Sequence, residues 1–324
     1  MIKAKNLSAL FISAIAVFAM TVFLIFPARY AQSVSEGISL WAVNVLPATF
    51  PFLFLTALLS SLRLFARVAE KLSPAAKKLF RVNGAGGCAA VMSALSGYPV
   101  GARLLFDLHE HNLISQNERF RLACLCSTSG PMFLVGVVGS AMFHSAKAGW
   151  IALLSHLLSV YAVCFCLRFF GKKETSASLP PVSFPAGKET SLYESLSSAV
   201  TSILCVGGFI ALFYAFGQML SDLGVFAGAN ALLSSTPFAP YGEGILRGLL
   251  EMTTGCAILS QNPAPLSLAL SCFLVTFGGL CVLCQQLSYL SRTGIKPLPF
   301  AAVKLIQAVV SAIICYLLAL ALGM

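Results

Sequence analysis

The sequence predicts an all-α polytopic membrane protein, built as an inverted repeat with two re-entrant helical hairpins and two interrupted transmembrane helices. Of its 324 residues, 58% are hydrophobic and only 10% are charged, and the mean hydropathy is +0.88. Soluble domains usually carry about 25% charged residues. Several apolar runs reach the ~20 residues that span a hydrocarbon core. Two short polar interruptions lie at matching places in the two halves of the chain.

The distribution of charge predicts the orientation. The net charge is +10, but the basic residues collect between apolar runs, as the positive-inside rule expects for cytoplasmic loops. The predicted partner is therefore the lipid bilayer of the cell membrane and not a nucleic acid, with the N-terminus cytoplasmic and the C-terminus outside. The predicted spans are residues 7–26, 38–62, 122–143, 150–167, 196–220, 266–290 and 300–322.

The connections between these spans predict the organisation of the chain. Residues 27–37 and 221–243 are predicted outer loops, and the basic stretch 63–81 is a predicted inner loop. Each half then reads as a span, a re-entrant hairpin, an interrupted span and a span, and inverted repeats of this kind are a recurring transporter plan. The predicted units are an N-terminal helix with its outer loop (1–37), a first repeat (38–170), a cytoplasmic linker (171–192) and a second repeat (193–324).

The first predicted hairpin covers residues 83–106, whose two arms are each too short to cross a bilayer. Glycines 84, 86 and 87 predict close helix packing. Backbone groups freed at the bend must be satisfied by protein or by water in a cavity, and half-helix N-termini there could hold an anionic or polar group. The alternative is a tight packing kink. The candidate binding residues are Ser96, Gly97, Tyr98, Pro99 and Gly101.

The first predicted interruption lies within the span 122–143. Ser127, Thr128 and Ser129 offer hydroxyl groups there, and Gly130 and Pro131 follow directly. Free carbonyls at such a break could bind a cation or a sugar-like ligand. The alternative is that the hydroxyls bond back to their own helix, which is common.

The second predicted hairpin covers residues 244–259, and its bend contains Glu251, Thr253, Thr254 and Gly255. A carboxylate inside a membrane is costly and is functional by default. Glu251 could bind Na⁺, carry a proton or accept a hydrogen bond from a solute. The alternative is an ion pair with Arg247, four residues earlier on the same helical face.

The second predicted interruption is residues 276–279, and Gln285 and Gln286 follow it. We count Gln285 among the candidate binding residues, although both amides could equally lie at the cytoplasmic interface.

Other polar groups receive structural interpretations. Arg103 and Asp107 are four residues apart and are expected to pair. The two histidines of residues 109–111 point to different sides of a helix, which disfavours a metal site, and His144 and His156 are isolated. The eleven cysteines lie almost wholly in apolar runs, where thiols behave as small hydrophobic groups. No metal, no cofactor and no enzymatic activity is predicted, because no nucleophile–base–acid set or phosphate-binding loop is present.

Three motifs carry a resemblance to a known family: VNGAGG at residues 82–87, SGYPVGAR at residues 96–103 and STSGP at residues 127–131. The chain resembles the YlbJ-like sporulation integral membrane proteins, which belong with the nucleoside-recognition, or gate, domain proteins. EMTTG at residues 251–255 looks like the counterpart in the second half. The resemblance implies an architecture akin to concentrative nucleoside transporters, in which two hairpin tips and two broken helices enclose substrate and ion, and a role in endospore formation.

These observations predict a secondary transporter or permease for a small polar or anionic solute, a nucleoside-like one included, with its site at the two hairpin tips. The alternative is a non-transporting membrane scaffold for spore cortex or coat formation, in which the bends only allow close helix packing. An intramembrane enzyme would require a catalytic pair. The sequence leaves open whether Na⁺ or H⁺ would be coupled and whether the protein forms a homo-oligomer.

Overall fold

The computed structural model describes residues 2–61, 63–170 and 191–324, and these residues form helices and connecting turns with no β-strand. Most of the predicted linker, residues 171–192, lies outside them. Within the described ranges, five helical segments are long and apolar enough to cross a membrane, which confirms the predicted class. They are Pro27–Leu59, Ala146–Leu167, Leu192–Asp222, Pro265–Thr293 and Pro297–Ala321.

The predicted outer loop at residues 27–37 is wrong, because this stretch is helical. The stretch lies in α2 (Pro27–Leu40), which follows α1 (Ile2–Ile25). A π-helical turn (Trp41–Val45) joins α2 to α3 (Leu46–Ser61). Proline is well suited to the first position of a helix. Tyr30, Ser33 and Gly37 form a buried face of α2. This face packs on the second half of the molecule.

The basic stretch after α3 is also helical and not a loop. It forms α4 (Arg63–Phe80), whose buried Ala69 and Ala76 face the glycines of the next helix. A Cβ added at Gly84 would meet the carbonyl of Ala69, and one added at Gly87 would lie 2.7 Å from the Cβ of Ala76. The predicted close packing through these glycines is therefore confirmed.

The rest of the first half contains the first bend and the first break. We call residues 97–99 the first bend and residues 126–130 the first break; the chain is not α-helical at either place, and the predicted interruption is confirmed. The elements are α5 (Gly84–Ser96), α6 (Val100–Glu110), α7 (Arg119–Leu125), a π-helical segment (Met132–Met142) and α8 (Ala146–Leu167).

The second half begins with the long helix α9 (Leu192–Asp222). The predicted outer loop at residues 221–243 is only partly a loop, because it contains α10 (Val225–Leu233) and a short 3₁₀ turn (Ala239–Tyr241). We call the extended residue Glu251 the second bend and the left-handed Gly278 the second break, where the predicted interruption is again confirmed. The elements are α11 (Gly242–Leu250), α12 (Met252–Leu259), α13 (Pro265–Phe277), α14 (Gly279–Leu290) and α15 (Pro297–Ala321).

The same order of elements thus occurs twice: a long helix, a pair of short helices joined by a bend, a broken helix and a long helix. The broken helix of the second half is the most buried of the five apolar segments in the described structure. In its apolar stretch 72% of the residues are buried, against 28–44% in the other four. The residues of both bends and both breaks are buried as well.

Candidate functional site

The first bend is held tightly against the first break. Gly97 has a left-handed φ of 80°, which favours glycine, and a Cβ there would lie 2.6 Å from the backbone nitrogen of Gly130. Pro99 precedes the first residue of α6. The backbone of the bend therefore approaches the broken helix as closely as a residue without a side chain permits.

The Tyr98 side chain connects this bend to the other half of the molecule. Its ring is buried, and its hydroxyl lies 3.2 Å from the Val275 carbonyl and 3.3 Å from the Thr276 carbonyl. Both carbonyls belong to the last turn of α13, where backbone acceptors lack a partner within the helix. Tyr98 therefore satisfies carbonyls at the end of the second broken helix.

Side chains from other elements satisfy the polar groups of the first break. Ser93 Oγ donates to the Cys126 carbonyl at 2.5 Å and lies 2.9 Å from Thr128 Oγ1, and Ser127 Oγ donates to Gln286 Oε1 at 2.5 Å. The hydroxyls of Ser127 and Thr128 thus bond across elements, and the alternative in which they bond back to their own helix is wrong. They stabilise the break and do not line the cavity described below.

His156 joins the two breaks. It is fully buried, and its Nε2 accepts a hydrogen bond from the Ser129 amide at 2.9 Å. Nδ1 lies 2.9 Å from Thr276 Oγ1. Because Nε2 is an acceptor, the proton of the neutral ring is on Nδ1, so one imidazole links the first break to the end of α13.

At the second bend, Glu251 caps α12. The carboxylate accepts hydrogen bonds from the Thr253 amide at 2.9 Å, the Thr254 amide at 2.7 Å and Thr254 Oγ1 at 2.8 Å. A side-chain oxygen that satisfies the first amides of a helix is the usual N-cap arrangement. The alternative of an ion pair with Arg247 is wrong, because that guanidinium lies 2.9 Å from Glu243.

The two bends and the first break meet at one cavity of about 40 Å³, enough for a few water molecules. Its apolar part comes from the broken helices, from α3, α5, α9 and α12, and from the π-helical turn before α3. Its remaining lining includes seven of the predicted residues: Ser96, Gly97, Tyr98, Ser129, Glu251, Thr253 and Gln285. The structure thus brings together candidate residues that lie up to 189 positions apart in the chain, from Ser96 to Gln285.

Two polar groups of this lining have capacity for a ligand. Thr253 is fully buried, and its Oγ1 has no hydrogen-bond partner in the described part of the chain. The Glu251 carboxylate accepts three hydrogen bonds, whereas its two oxygens have about four acceptor positions. Each is a place where a solute or a water molecule would complete the hydrogen bonding.

The other predicted residues lie outside the cavity lining, namely Pro99, Gly101, Ser127, Thr128, Thr254 and Gly255. The two glycines pack helices together: a Cβ at Gly101 would meet the Cys126 carbonyl and the Ser93 hydroxyl, and one at Gly255 would lie 2.7 Å from the Gly244 carbonyl. At these two positions the glycine allows close helix packing and does not contribute to the cavity.

A second, larger cavity of about 260 Å³ lies next to the first. Thr56 lines the larger cavity and Ser96 lines the smaller one, and their hydroxyls are hydrogen-bonded to each other. Arg103 and Asp107 also line the larger cavity, 4.0 Å apart, as the predicted pair. Burial raises the pKa of Asp107, and the Arg103 charge opposes that shift.

Lys304 is the main residue that sequence reasoning missed. It lies within α15, is fully buried, and donates to the Ser127 carbonyl at 2.9 Å and the Tyr98 hydroxyl at 3.1 Å. Its signal was visible: an ionisable residue in the middle of an apolar run indicates a functional position. Gln307, one turn later, donates to the Cys124 carbonyl at 3.2 Å.

Metal-ligating side chains do not form a cluster at the site. Within the described residues, no group of three His, Cys, Asp or Glu side chains is placed to hold a metal ion. The sequence disfavours a metal site at His109 and His111. Nδ1 of His111 lies 2.8 Å from the Asp107 carbonyl oxygen. Cys281 lies with its sulfur 3.3 Å from the Gln285 amide.

Comparison with known proteins identifies the family. No protein-family model matches the chain, and no solved structure matches it. The sporulation integral membrane protein YlbJ of Bacillus subtilis (strain 168) is 30% identical over 341 aligned residues, which cover 97% of this chain and 83% of the relative. Identity at this level over nearly the whole chain shows that the chain belongs to the YlbJ family of sporulation integral membrane proteins.

Proposed function

We propose that this sporulation membrane protein is a secondary transporter or permease for a small polar solute, with its binding site between the two bends. The observation that carries the proposal is the shared cavity, because it collects polar residues of both bends and of the first break. Discontinuous helices whose ends meet inside the bilayer are the usual construction of transporter binding sites. A protein that only needed close helix packing would have no reason to place Glu251 and an unpartnered Thr253 hydroxyl there.

The proposed membrane arrangement treats both bent helix pairs as re-entrant hairpins. Their arms contain 13, 11, 9 and 8 residues, so that none is longer than about 20 Å, whereas the hydrocarbon core is about 30 Å thick. With a cytoplasmic N-terminus and an outer C-terminus, the two hairpins enter from opposite sides. The repeated order of elements then becomes an inverted repeat.

The chemistry of the lining favours a neutral polar solute over an anion. Glu251 is only 2% exposed, and both of its oxygens act as hydrogen-bond acceptors, so an anionic solute would meet acceptor atoms there and not donors. Glu251 accepts hydrogen bonds, while Thr253 and Gln285 can both donate and accept. A solute with several hydroxyl or N–H groups, such as a nucleoside, matches this set.

Transport of such a solute requires the bends to separate, because a cavity of about 40 Å³ is far smaller than the ~300 Å³ or more of a typical small-molecule site. We place the access route through the larger neighbouring cavity. Two hydrogen bonds that join the linings are the one between the Thr56 and Ser96 hydroxyls and the one from the Val100 amide to the Gly97 carbonyl. Breaking the hydroxyl pair is the first step that would begin to join the two cavities.

The scaffold interpretation is the second candidate, and one observation favours it. The backbone groups of the first break are satisfied by protein side chains, among them Ser93, His156 and Lys304. A break whose backbone groups are satisfied in this way also fits a rigid protein that holds partners in the membrane. Ligand binding separates the two candidates.

The first experiment measures the thermal unfolding midpoint of the purified protein with nucleosides, amino acids, small carboxylates and cations. A solute that binds the folded state raises the midpoint by mass action. We expect a neutral polar solute to raise it in the parent protein and to lose this effect in Glu251→Gln.

The matched control is Glu243→Gln, which makes the same substitution in α11. The Glu243 side chain is 57% exposed and does not line the cavity. It should keep the ligand effect. Uptake of the same solute into proteoliposomes then tests transport itself. If no solute shifts the midpoint and none is taken up, the transporter proposal fails and the scaffold is favoured.

A further inference from the structure

The feature that the proposed function leaves unexplained is the fully buried cation of α15. Lys304 Nζ lies 2.9 Å from the Ser127 carbonyl oxygen, 3.1 Å from the Tyr98 hydroxyl and 5.2 Å from the centroid of the Tyr98 ring. Among the described residues it forms no ion pair with a carboxylate. A buried ammonium without a carboxylate must be stabilised by dipoles and by the π face of an aromatic ring.

Those dipoles are the carboxyl ends of the two broken helices. Ser127 follows the end of α7, and its carbonyl accepts directly from Lys304. The Tyr98 hydroxyl accepts from the same ammonium and lies against the Val275 and Thr276 carbonyls at the end of α13. Carbonyls at a helix end carry partial negative charge. The nitrogen contacts the Ser127 carbonyl directly and reaches the end of α13 through the Tyr98 hydroxyl.

In transporters with discontinuous helices, unwound carbonyls and helix C-terminal ends are the groups that coordinate a coupling cation. Here the nitrogen of Lys304 occupies that position. The ammonium also has the three donors that such a place requires, since it can serve the carbonyl, the phenol and one further acceptor.

We propose that Lys304 is a built-in substitute for a bound monovalent cation at the junction of the two broken helices, where it locks Tyr98 of the first bend against the end of α13. Free Na⁺ then has no place at this junction. The consequence for ion coupling rests on the proposed transport function, whereas the cation site itself can be tested without any solute.

Removal of the side chain should convert the junction into a site for a free cation. Lys304→Ala leaves the oxygens of Tyr98 and Ser127 in place and opens the space of the alkyl chain and ammonium. We expect its thermal midpoint to fall by roughly 5 °C or more. At constant ionic strength, saturable recovery should follow addition of methylammonium, ethylammonium or Na⁺, but not of the bulky N-methylglucamine cation.

The parent protein should show no saturable, cation-specific rise in midpoint under the same conditions. The matched control is Lys147→Ala. This exposed lysine of α8 donates to the Leu322 carbonyl at the end of α15, the helix that carries Lys304. That variant should respond to no cation specifically. A saturable Na⁺ effect on the parent, or a failure of every cation to restore Lys304→Ala, would overturn the proposal.

Lys304→Gln keeps the test decisive if the alanine variant does not fold. Glutamine retains an N–H donor but carries no charge, so we expect a lowered midpoint here too. A midpoint equal to that of the parent would show that a neutral helix cap is sufficient, and the cation role would be wrong. None of these readouts depends on solute binding, so the outcome is independent of the Glu251→Gln experiment.

Discussion

The two halves of the molecule use the same order of elements but hold their bends in different ways. At the first bend, Tyr98 reaches carbonyls of α13, 177 and 178 residues away in the chain. At the second bend, Glu251 bonds to atoms only two and three residues ahead. The first bend is therefore stabilised by tertiary contacts, and the second is stabilised by its own helix.

The glycines one turn after each bend show the same difference. Gly101 faces the carbonyl of Cys126 in the first break, whereas Gly255 faces Gly244 and Gly248 on the partner helix of its own hairpin. The second hairpin also contacts the broken helix of its own half, where a Cβ at Gly279 would lie 2.8 Å from the Gly248 carbonyl. The first bend in addition reaches the broken helix of the other half through Tyr98. Changes at the first bend should thus have the larger effects on stability.

The largest expected effect comes from Gly101→Ala. Its Cβ would overlap the Cys126 carbonyl, which is backbone and cannot rotate away. Overpacking of a buried position costs about 1–3 kcal/mol or more, measured as a fall in the thermal midpoint. Gly208→Ala is the control, because a Cβ there meets nothing within 4 Å, and alanine favours a helix. Equal midpoints for the two variants would show that the first bend is not packed as described.

A smaller effect is expected from Tyr98→Phe, which removes only the hydroxyl that bridges Lys304 and the end of α13. Leaving buried polar groups without partners costs about 1–3 kcal/mol. The thermal midpoint should fall, and the fall should exceed that of Tyr214→Phe, whose hydroxyl lies 3.2 Å from the exposed Glu36. If both variants behave alike, the tertiary connection of the first bend contributes no more than a surface hydrogen bond.

The smallest effects concern the ion pair that each hairpin carries: Arg103–Asp107 at 4.0 Å in the first and Arg247–Glu243 at 2.9 Å in the second. Partly exposed pairs contribute about 0–1 kcal/mol. Because burial raises the pKa of Asp107, folding favours its protonated form, and stability from this group falls as the pH rises through the raised pKa. Asp107→Asn should therefore be neutral or slightly stabilising at pH 7, and Glu243→Gln slightly destabilising. Thermal midpoints at pH 5 and pH 7 measure this contrast, and a large loss in Asp107→Asn would contradict it.

Local patterns predicted the features that depend on a few neighbouring residues. Gly278 and the run from Ser127 to Pro131 marked both breaks correctly, because glycine and proline weaken a helix wherever they stand. The cap formed by Glu251 is equally local, since its carboxylate bonds to the amides of Thr253 and Thr254 just ahead of it, but the sequence pattern did not predict it. The alternative of an ion pair between Glu251 and Arg247 is wrong, because Glu243, one turn before Arg247, accepts a hydrogen bond from that guanidinium.

Polar composition misled the prediction at residues 27–37, 63–81 and 221–243. The polar residues predict loops there, yet each stretch is wholly or partly helical. Polar residues at helical spacing leave an apolar face that a neighbouring helix can cover, and whether such a neighbour exists is a tertiary fact. For α2 that neighbour is α9, whose Ala211 and Tyr214 lie against Gly37.

By itself, the sequence determined the membrane class, the all-helical fold, the positions of both breaks and bends, and the family, because hydropathy, helix-breaking residues and short motifs are properties of neighbouring residues. Only the tertiary structure decided which of the candidates meet at one cavity, that Gly101 and Gly255 pack helices, and that Lys304 and His156 serve the breaks. The physical reason is that a broken helix leaves backbone groups that any nearby polar side chain can satisfy. Which side chain is near depends on packing between elements that lie from 27 to 178 residues apart in the chain.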